Sequence, residues 1–391
     1  MRIALFTDTY PPEINGVATS CKSLRDVLVS HGHEVMVVTT NPFSNKVTME
    51  ENIVRIPGPE LKKLYGYRMA GIYSNKAMKY IYKFSPDIVH IQTDFGVAVF
   101  GRFVASKLKC PSIYTYHTMY EDYTYYVTKG HFDRVGKHLV RSFSKSIIEG
   151  CDGFITPSMK TKDYMRRIGV DSYANVIPTG IDFSKFNEEN LDKDKVLELK
   201  KKFDIHDDEF ILLSLGRIAQ EKSIDFSIDC FAYFAKNNPN IKTKMIIVGK
   251  GPGEDALKEQ VKNLNMEDKI KFLGPCQPSE VQYYYSLGNA FISASLTETQ
   301  GLTYMEAMAA HLYVLARYDH NLLDVIQEGK TGFFFENKEE FSDKFMKAYK
   351  LYVSKDKKML DLALKSIDNY SIETFYNRII EAYKHVIKQC W

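Results

Sequence analysis

The stretch FILLSLGRIAQEKS, running from Phe210 to Ser223, decides the fold: an uncharged, apolar, β-rich run ends at a glycine turn that opens onto a helical pattern. A strand covered on both faces reads as such a continuous apolar run, and its usual setting is a parallel sheet flanked by helices. The same unit recurs on either side of it. Downstream, strands are expected at Lys244–Val248, Ile270–Leu273, Ala290–Ser293 and Tyr313–Ala316. Upstream they are expected at Arg2–Phe6, Glu34–Thr39, Asp87–Ile91, Ser112–Tyr116, Gly153–Thr156 and Asn175–Ile177, with helical patterns between them. Alternation of this kind marks stacked βαβ units. A chain of 391 residues exceeds what one core accommodates. The expectation is therefore an α/β protein of two Rossmann-like domains facing a central cleft.

The junction falls after Pro178-Thr179-Gly180-Ile181-Asp182, where a charged, apolar-poor run from Asn187 to Lys202 follows the turn as a hinge and surface helix. The domains are expected at 1–183 and 184–371. Residues 372–391 form an amphipathic helix with Phe375, Ile379, Ile380, Tyr383, Val386 and Ile387 on one face, and the pattern lets it cap either domain.

Composition bounds the function. Hydrophobic residues at 45% and charged residues at 26% can fill two cores and cover a surface, which excludes wholesale disorder. The six cysteines are scattered, with no CxxC pair and no His/Cys spacing suited to a metal, so neither a disulfide framework nor a zinc site is expected. No run of eighteen apolar residues and no signal-peptide pattern occurs, which points to a cytoplasmic protein, peripheral at most to a membrane. Charge is unevenly spread. Residues 1–182 hold 23 Lys and Arg against 17 Asp and Glu, the remainder 29 against 32.

In an open α/β sheet ligands bind beyond the carboxyl ends of the strands, so the loops there carry the chemistry. After Leu215, Arg217 and Lys222 stand five positions apart at a helix entrance, where two cations and helix N-terminal amides suit a diphosphate. Solvated surface cations are the other reading. After Val248, Gly249-Lys250-Gly251-Pro252-Gly253 departs from GxGxxG spacing and lacks a downstream ribose-binding acid. It reads either as a tight turn or as a ligand contact, and argues against NAD. The third loop places Glu298 and Glu306 on either side of Gly301, with the second carboxylate on an apolar helix. Carboxylates accept sugar hydroxyls, and the amides around Gln300, Gly301, Leu302 and Thr303 can donate to further oxygens. In the first half, Asn15-Gly16 precedes a helix after a loop containing Tyr10, and His117 closes a strand. A strand-end histidine is either a structural residue or one facing the cleft.

Taken together, Pro-Pro-Glu-Ile-Asn-Gly-Val from Pro11, Tyr-His-Thr from Tyr116, Pro-Thr-Gly-Ile-Asp from Pro178, the Gly216-Arg217 to Glu221-Lys222 loop and the Glu298/Glu306 spacing resemble the retaining glycosyltransferases of family four, along nearly the whole chain. The resemblance implies the GT-B architecture of two Rossmann-like domains. It implies that Arg217 and Lys222 hold the donor diphosphate and that Glu306 binds the ribose. Glu298 with Gln300 to Thr303 would grip the hexose, and Asn15-Gly16 would close the phosphate site. His117 would stand beside the sugar, with Tyr10 and His117 lining the acceptor pocket. Many relatives have two glycines where this chain has Asn15 and Gly16. His117, Glu298, Arg217 and Lys222 are the catalytic set that the resemblance implies. The expected course is front-face displacement, in which the departing phosphate takes the acceptor proton. No obligatory cofactor is implied, with room for magnesium alongside the diphosphate.

Six cations between residues 61 and 83, namely Lys62, Lys63, Arg68, Lys76, Lys79 and Lys83, meet no acid and are interleaved with aromatics. A second basic run comprises Lys129, Arg134, Lys137, Arg141 and Lys145. Cations with interfacial Tyr, Leu and Met suit an anionic membrane surface on the cytoplasmic side; a solvated helix face is the plain alternative. No nucleic-acid motif accompanies them, so no nucleic acid is expected. Several segments are similar to the bacterial 1,2-diacylglycerol 3-glucosyltransferases within the family. That similarity implies UDP-glucose as donor, diacylglycerol as acceptor and an α-monoglucosyl lipid as product. UDP-galactose or GDP-mannose as donor, another lipid or a soluble sugar as acceptor, an epimerase, and a non-catalytic binder are the competing readings.

Overall fold

The computed structural model describes residues 1–13, 15–61, 67–68, 70–117, 141–142, 144–170, 174–296, 298 and 300–390. It divides the chain into two compact units, Met1–Gly180 with Ile372–Trp391, and Ile181–Ser371.

The first unit contains β1 (Arg2–Phe6), α1 (Gly16–Ser30), β2 (Glu34–Thr40), β3 (Thr48–Glu50), β4 (Ile53–Ile56), the short pair β5 (Glu60–Leu61) and β6 (Tyr67–Arg68), α2 (Asn75–Phe84), β7 (Ile88–Ile91), α3 (Gly96–Leu108), β8 (Ser112–Thr115), β9 (Gly153–Thr156), α4 (Met159–Arg167) and β10 (Ala174–Val176). Its main sheet runs in the order β10-β9-β8-β7-β1-β2-β4-β3 and is parallel except where β3 meets β4. β1 pairs with β2 on one side and β7 on the other, Ile3 facing both Val35 and Ile88. The order in which strands are added reverses there, so a switch point opens at the carboxyl ends of β1 and β7.

The second unit contains α5 (Lys193–Lys202), β11 (Phe210–Leu215), α6 (Ile224–Asn237), β12 (Thr243–Val248), α7 (Glu254–Asn263), β13 (Ile270–Gly274), α8 (Val281–Tyr285), β14 (Ala290–Ser293), α9 (Leu302–Ala309), β15 (Tyr313–Arg317), β16 (Phe333–Phe335), α10 (Lys338–Val353) and α11 (Lys358–Ser366). Its six strands run in the order β13-β12-β11-β14-β15-β16, all parallel. The switch point lies beside β11 and β14. The loops that follow these two strands are the ones in which the sequence concentrates its charges.

Both sheets are buried on both faces. In the second unit Leu213, Ile246 and Val314 pack toward one helical layer and Leu212, Ile247 and Leu315 toward the other. The final helix, α12 (Ile372–Cys390), clusters with the first unit. Its Phe375, Ile379, Tyr383 and Val386 join Ile3, Leu5, Leu24 and Ile113 in one core. Polar contacts fix the assignment: the Tyr383 hydroxyl lies 2.6 Å from Nδ1 of buried His90, and the Tyr376 ring stacks on His31 at 3.7 Å.

Candidate functional site

In the second unit the loop after β11 turns at Gly216 and presents Arg217 and Lys222. The glycine-rich turn after β12 is what holds that loop. Ile218 N donates to Lys250 O at 3.1 Å and Gly216 N donates to Val248 O at 3.0 Å. A Cβ on Gly249 would sit 1.9 Å from the Gly216 carbonyl oxygen, so only glycine allows this backbone approach. Of the two sequence readings of that turn, the structure supplies a mechanical reason for the tight turn.

Each cation is paired. Arg217 Nη2 bonds Glu221 Oε1 within one turn of chain, and Lys222 Nζ lies 2.7 Å from Glu298 Oε1. The cationic side chains are 35% and 31% exposed and the carboxylates 11% and 12%, so each pair sits at the surface with its acid the more buried partner.

Glu298 and buried Gln300 lie in the loop after β14, and Gly301 ends it with φ of +73° as the residue before α9. A Cβ there would lie 2.8 Å from the Leu322 side chain, so the left-handed turn and the packing both require glycine. Leu302 and Thr303 form the first turn of α9, and Glu306 follows on the same helix. Glu306 Oε2 accepts from the Tyr285 hydroxyl at 2.8 Å, and Oε1 receives no hydrogen bond among the described residues. Loss of solvation around the carboxyl pushes its pKa up to about 7, opposed by the Tyr285 hydrogen bond and by the Lys185 charge. Tyr285 and Lys185 are not singled out by the sequence, which reads Glu221 only as part of the Gly216–Lys222 loop. Glu221 beside Lys222 and the run Tyr283-Tyr284-Tyr285 were the visible signals, but nothing in a linear pattern says which tyrosine turns inward.

In the first unit the loop after β1 is held by Asp8. Its carboxylate accepts from Thr93 Oγ1 at 2.7 Å, Phe95 N at 3.1 Å and Val97 N at 2.9 Å, tying β1 to the start of α3. Tyr10 is buried. Asn15 caps α1: its side chain accepts from Ala18 N at 2.9 Å and donates to Thr9 Oγ1 at 2.7 Å. A Cβ on the adjacent Gly16 would meet nothing within 4 Å, so the backbone there is open to a neighbour. His117 Nε2 donates to Gln92 Oε1 at 2.6 Å, and burial lowers the ring's pKa to about 4. The ring is then neutral near pH 7, with Nδ1 as its acceptor. Gln92 is a further residue that sequence reading passed over.

Among the cations of the proposed basic face, Lys76, Lys79 and Lys83 are exposed on α2, opposite buried Ala77, Met78 and Ile81. Arg68 is turned inward and donates to Gly58 O at 3.2 Å. Lys62, Lys63, Lys129, Arg134 and Lys137 lie outside the described residues. Among the described residues no three His, Cys, Asp or Glu side chains gather into a metal site, and no helix is long and apolar enough to cross a membrane.

Comparison with known proteins identifies the family. Residues 14–185 match the model described as Glycosyltransferase Family 4, and residues 196–363 match Glycosyl transferases group 1. The chain is 37% identical over 345 residues to alpha-monoglucosyldiacylglycerol synthase of Acholeplasma laidlawii, covering 87% of this chain and 86% of that one. It is 36% identical over 389 residues to the protein of the same name from Streptococcus pneumoniae, covering 99% and 86%. Among solved structures, Anabaena HepE in complex with UDP-glucose superposes with a TM-score of 0.75 at 15% identity, covering 98% of this chain and all of that one, a likeness of fold.

Proposed function

The chain belongs to the glycosyltransferases of family four, a hexosyltransferase of GT-B fold, and we propose that it moves glucose from UDP-glucose to 1,2-diacylglycerol with retention, giving an α-monoglucosyl diacylglycerol. The observation that carries this reading is the grouping at the second switch point. Two partly exposed cations, Arg217 and Lys222, stand on the loop after β11, and two carboxylates, Glu298 and Glu306, follow β14. One group suits a diphosphate and the other suits sugar and ribose hydroxyls. The acceptor is taken from the two relatives whose name specifies it.

In this reading Arg217 and Lys222 stabilise the charge that develops as the bond between the anomeric carbon and the phosphate oxygen breaks. The diacylglycerol hydroxyl attacks the same face, and its proton passes to the departing phosphate. Release of Lys222 from Glu298 frees that carboxylate for the hexose. In the first unit, Asn15-Gly16 offers open backbone to an anion, and neutral His117 accepts from a hydroxyl through Nδ1, with Tyr10 for the acceptor. No step needs a protein-held ion; magnesium would enter with the diphosphate.

We further propose that the protein works peripherally on the cytoplasmic face of the cell membrane, with α2 against anionic lipid. Lys76, Lys79 and Lys83 line one exposed face, and Ile72, Tyr73 and Tyr82 are exposed nearby in sequence. Each cation contributes about 1 kcal/mol at an anionic leaflet. The test is product formation from radiolabelled UDP-glucose with diacylglycerol in mixed micelles, with and without anionic phospholipid. A labelled monoglucosyl lipid that increases with anionic lipid supports donor, acceptor and docking. Hydrolysis of the donor without lipid product rejects the acceptor. Charge reversal of Lys76, Lys79 and Lys83 to Glu should abolish sedimentation with anionic liposomes, and unchanged sedimentation rejects the docking face.

A further inference from the structure

Tyr285 ends α8 with its side chain fully buried. Phe186 stands edge-on to its ring at 5.5 Å and Phe291 lies at 6.0 Å, so the phenol is confined. Its hydroxyl has two acceptors within reach, Glu306 Oε2 at 2.8 Å and the Thr303 carbonyl oxygen at 3.2 Å. A phenol carries one proton and can donate fully to only one of them, while its oxygen can itself accept.

Both acceptors lie on α9, one turn apart. When Glu306 is ionised, the Tyr285 proton goes to Oε2 and the charge-assisted acceptor Oε1 is left for a ligand. When Glu306 is protonated on Oε2, that O–H donates to the Tyr285 oxygen and the phenolic proton turns to Thr303. Each arrangement gives the Tyr285 hydroxyl and Oε2 a partner, so the hydroxyl serves both protonation states without moving the ring.

We propose that Tyr285 is a positioning residue for the nucleotide: its single hydroxyl proton alternates between Glu306 and the Thr303 carbonyl, presenting a charged ribose acceptor in the first arrangement and withdrawing that charge in the second. The proposal rests on the reading of Glu306 as the ribose ligand. Burial sets the exchange near pH 7. Four titratable groups besides Tyr285 surround it. Lys185, from the turn before α5, favours the charged form, as its effect on Glu306 shows. The Cys276 thiol after β13 is pushed up to about 11 by burial and stays neutral, and Glu280 near that thiol is paired with Lys195. Burial, and after it the Glu306 charge, hold the Tyr285 phenol well above its ordinary value and so protonated, with Glu298 adding a smaller push in the same direction.

The experiment is UDP-glucose binding to the full chain by calorimetry between pH 6 and pH 9. Wild type should lose about tenfold in affinity from pH 8 to pH 6, because only the ionised fraction offers the charged acceptor. Tyr285→Phe keeps the ring and removes the proton. Its affinity should be about tenfold lower at pH 7.5 and should recover toward wild type at pH 9, with kcat at saturating donor little changed. Glu306→Gln should bind weakly with no dependence on pH. A Tyr285→Phe profile that overlays wild type, or that is lower by the same factor at every pH, overturns the positioning role. Wild-type affinity in Glu306→Gln instead removes the ribose assignment, and the proposal falls with it.

Discussion

Asp8 in the first unit and Glu306 in the second are carboxylates at the ligand-bearing edge of similar parallel sheets, and burial raises the pKa of both. Their hydrogen bonding differs. Asp8 receives three protein donors, from Thr93, Phe95 and Val97, and spends its charge joining β1 to α3. Glu306 receives one donor on one oxygen, among the described residues. A shifted pKa therefore does not by itself mark an acid for ligand binding; the count of donors already provided by the fold says how much of each carboxylate is left for one. The same contrast holds for the histidines. His90 has both ring nitrogens engaged, by Tyr383 and Thr115, whereas His117 is held through Nε2 alone, among the described residues.

The strongest way to break this contrast is to remove a cation from the second unit. Arg217→Ala or Lys222→Ala should lower kcat/KM by about 10²- to 10³-fold, roughly 3 to 4 kcal/mol, while the melting temperature stays close to wild type. Loss of fold instead of activity would make these pairs structural.

Asp8→Ala should do the opposite. Three donors lose their acceptor, and stability by urea unfolding should fall by about 2 to 3 kcal/mol, with KM for UDP-glucose in the remaining folded protein unchanged. Donor binding lost at full stability would exchange the roles of the two acids.

A smaller effect sharpens the comparison. The folded-state pKa of Glu306 is raised from 4.5 to about 7, so its contribution to stability is fully present below pH 4.5 and is lost as pH rises through 7. Gln mimics the protonated form. Glu306→Gln should therefore unfold like wild type at pH 4.5 and be more stable by about 2 kcal/mol at pH 8, measured by urea titration at both pH values. Equal stability at pH 8 would mean that the folded carboxyl carries no desolvation cost.

The smallest expected change is at Gln92. Gln92→Leu should leave His117 unrestrained and reduce kcat by about tenfold or less, near 1 kcal/mol, with the donor KM unaltered in steady-state assays. An unchanged kcat would place His117 with His90 as a purely structural residue.

Much of the scaffold was legible because doubly covered strands are apolar along their whole length. Phe210–Leu215, Ala290–Ser293 and Gly153–Thr156 stand where the sequence puts them. The edges were not legible. β16 is three residues long, and β3 and β4 lie at the rim where burial is incomplete and the apolar signal fades. The charged loops were found through residue type and spacing, but their internal partners were not. Lys222 and Glu298 are 76 positions apart, and Tyr285 meets Glu306 across 21.

The sequence by itself determined the class of fold, the two strand-end loops that carry the cations and carboxylates, and the amphipathic face of the last helix, because each is a local pattern of burial, charge or turn chemistry. Tertiary structure alone decided that this helix packs with the first unit, that the Gly249 turn is a support for the Arg217 loop, and that one tyrosine of three hydrogen-bonds Glu306. Those outcomes depend on contacts between residues distant in the chain, such as His90 with Tyr383 across 293 positions, and no local propensity encodes which of many compatible partners will arrive.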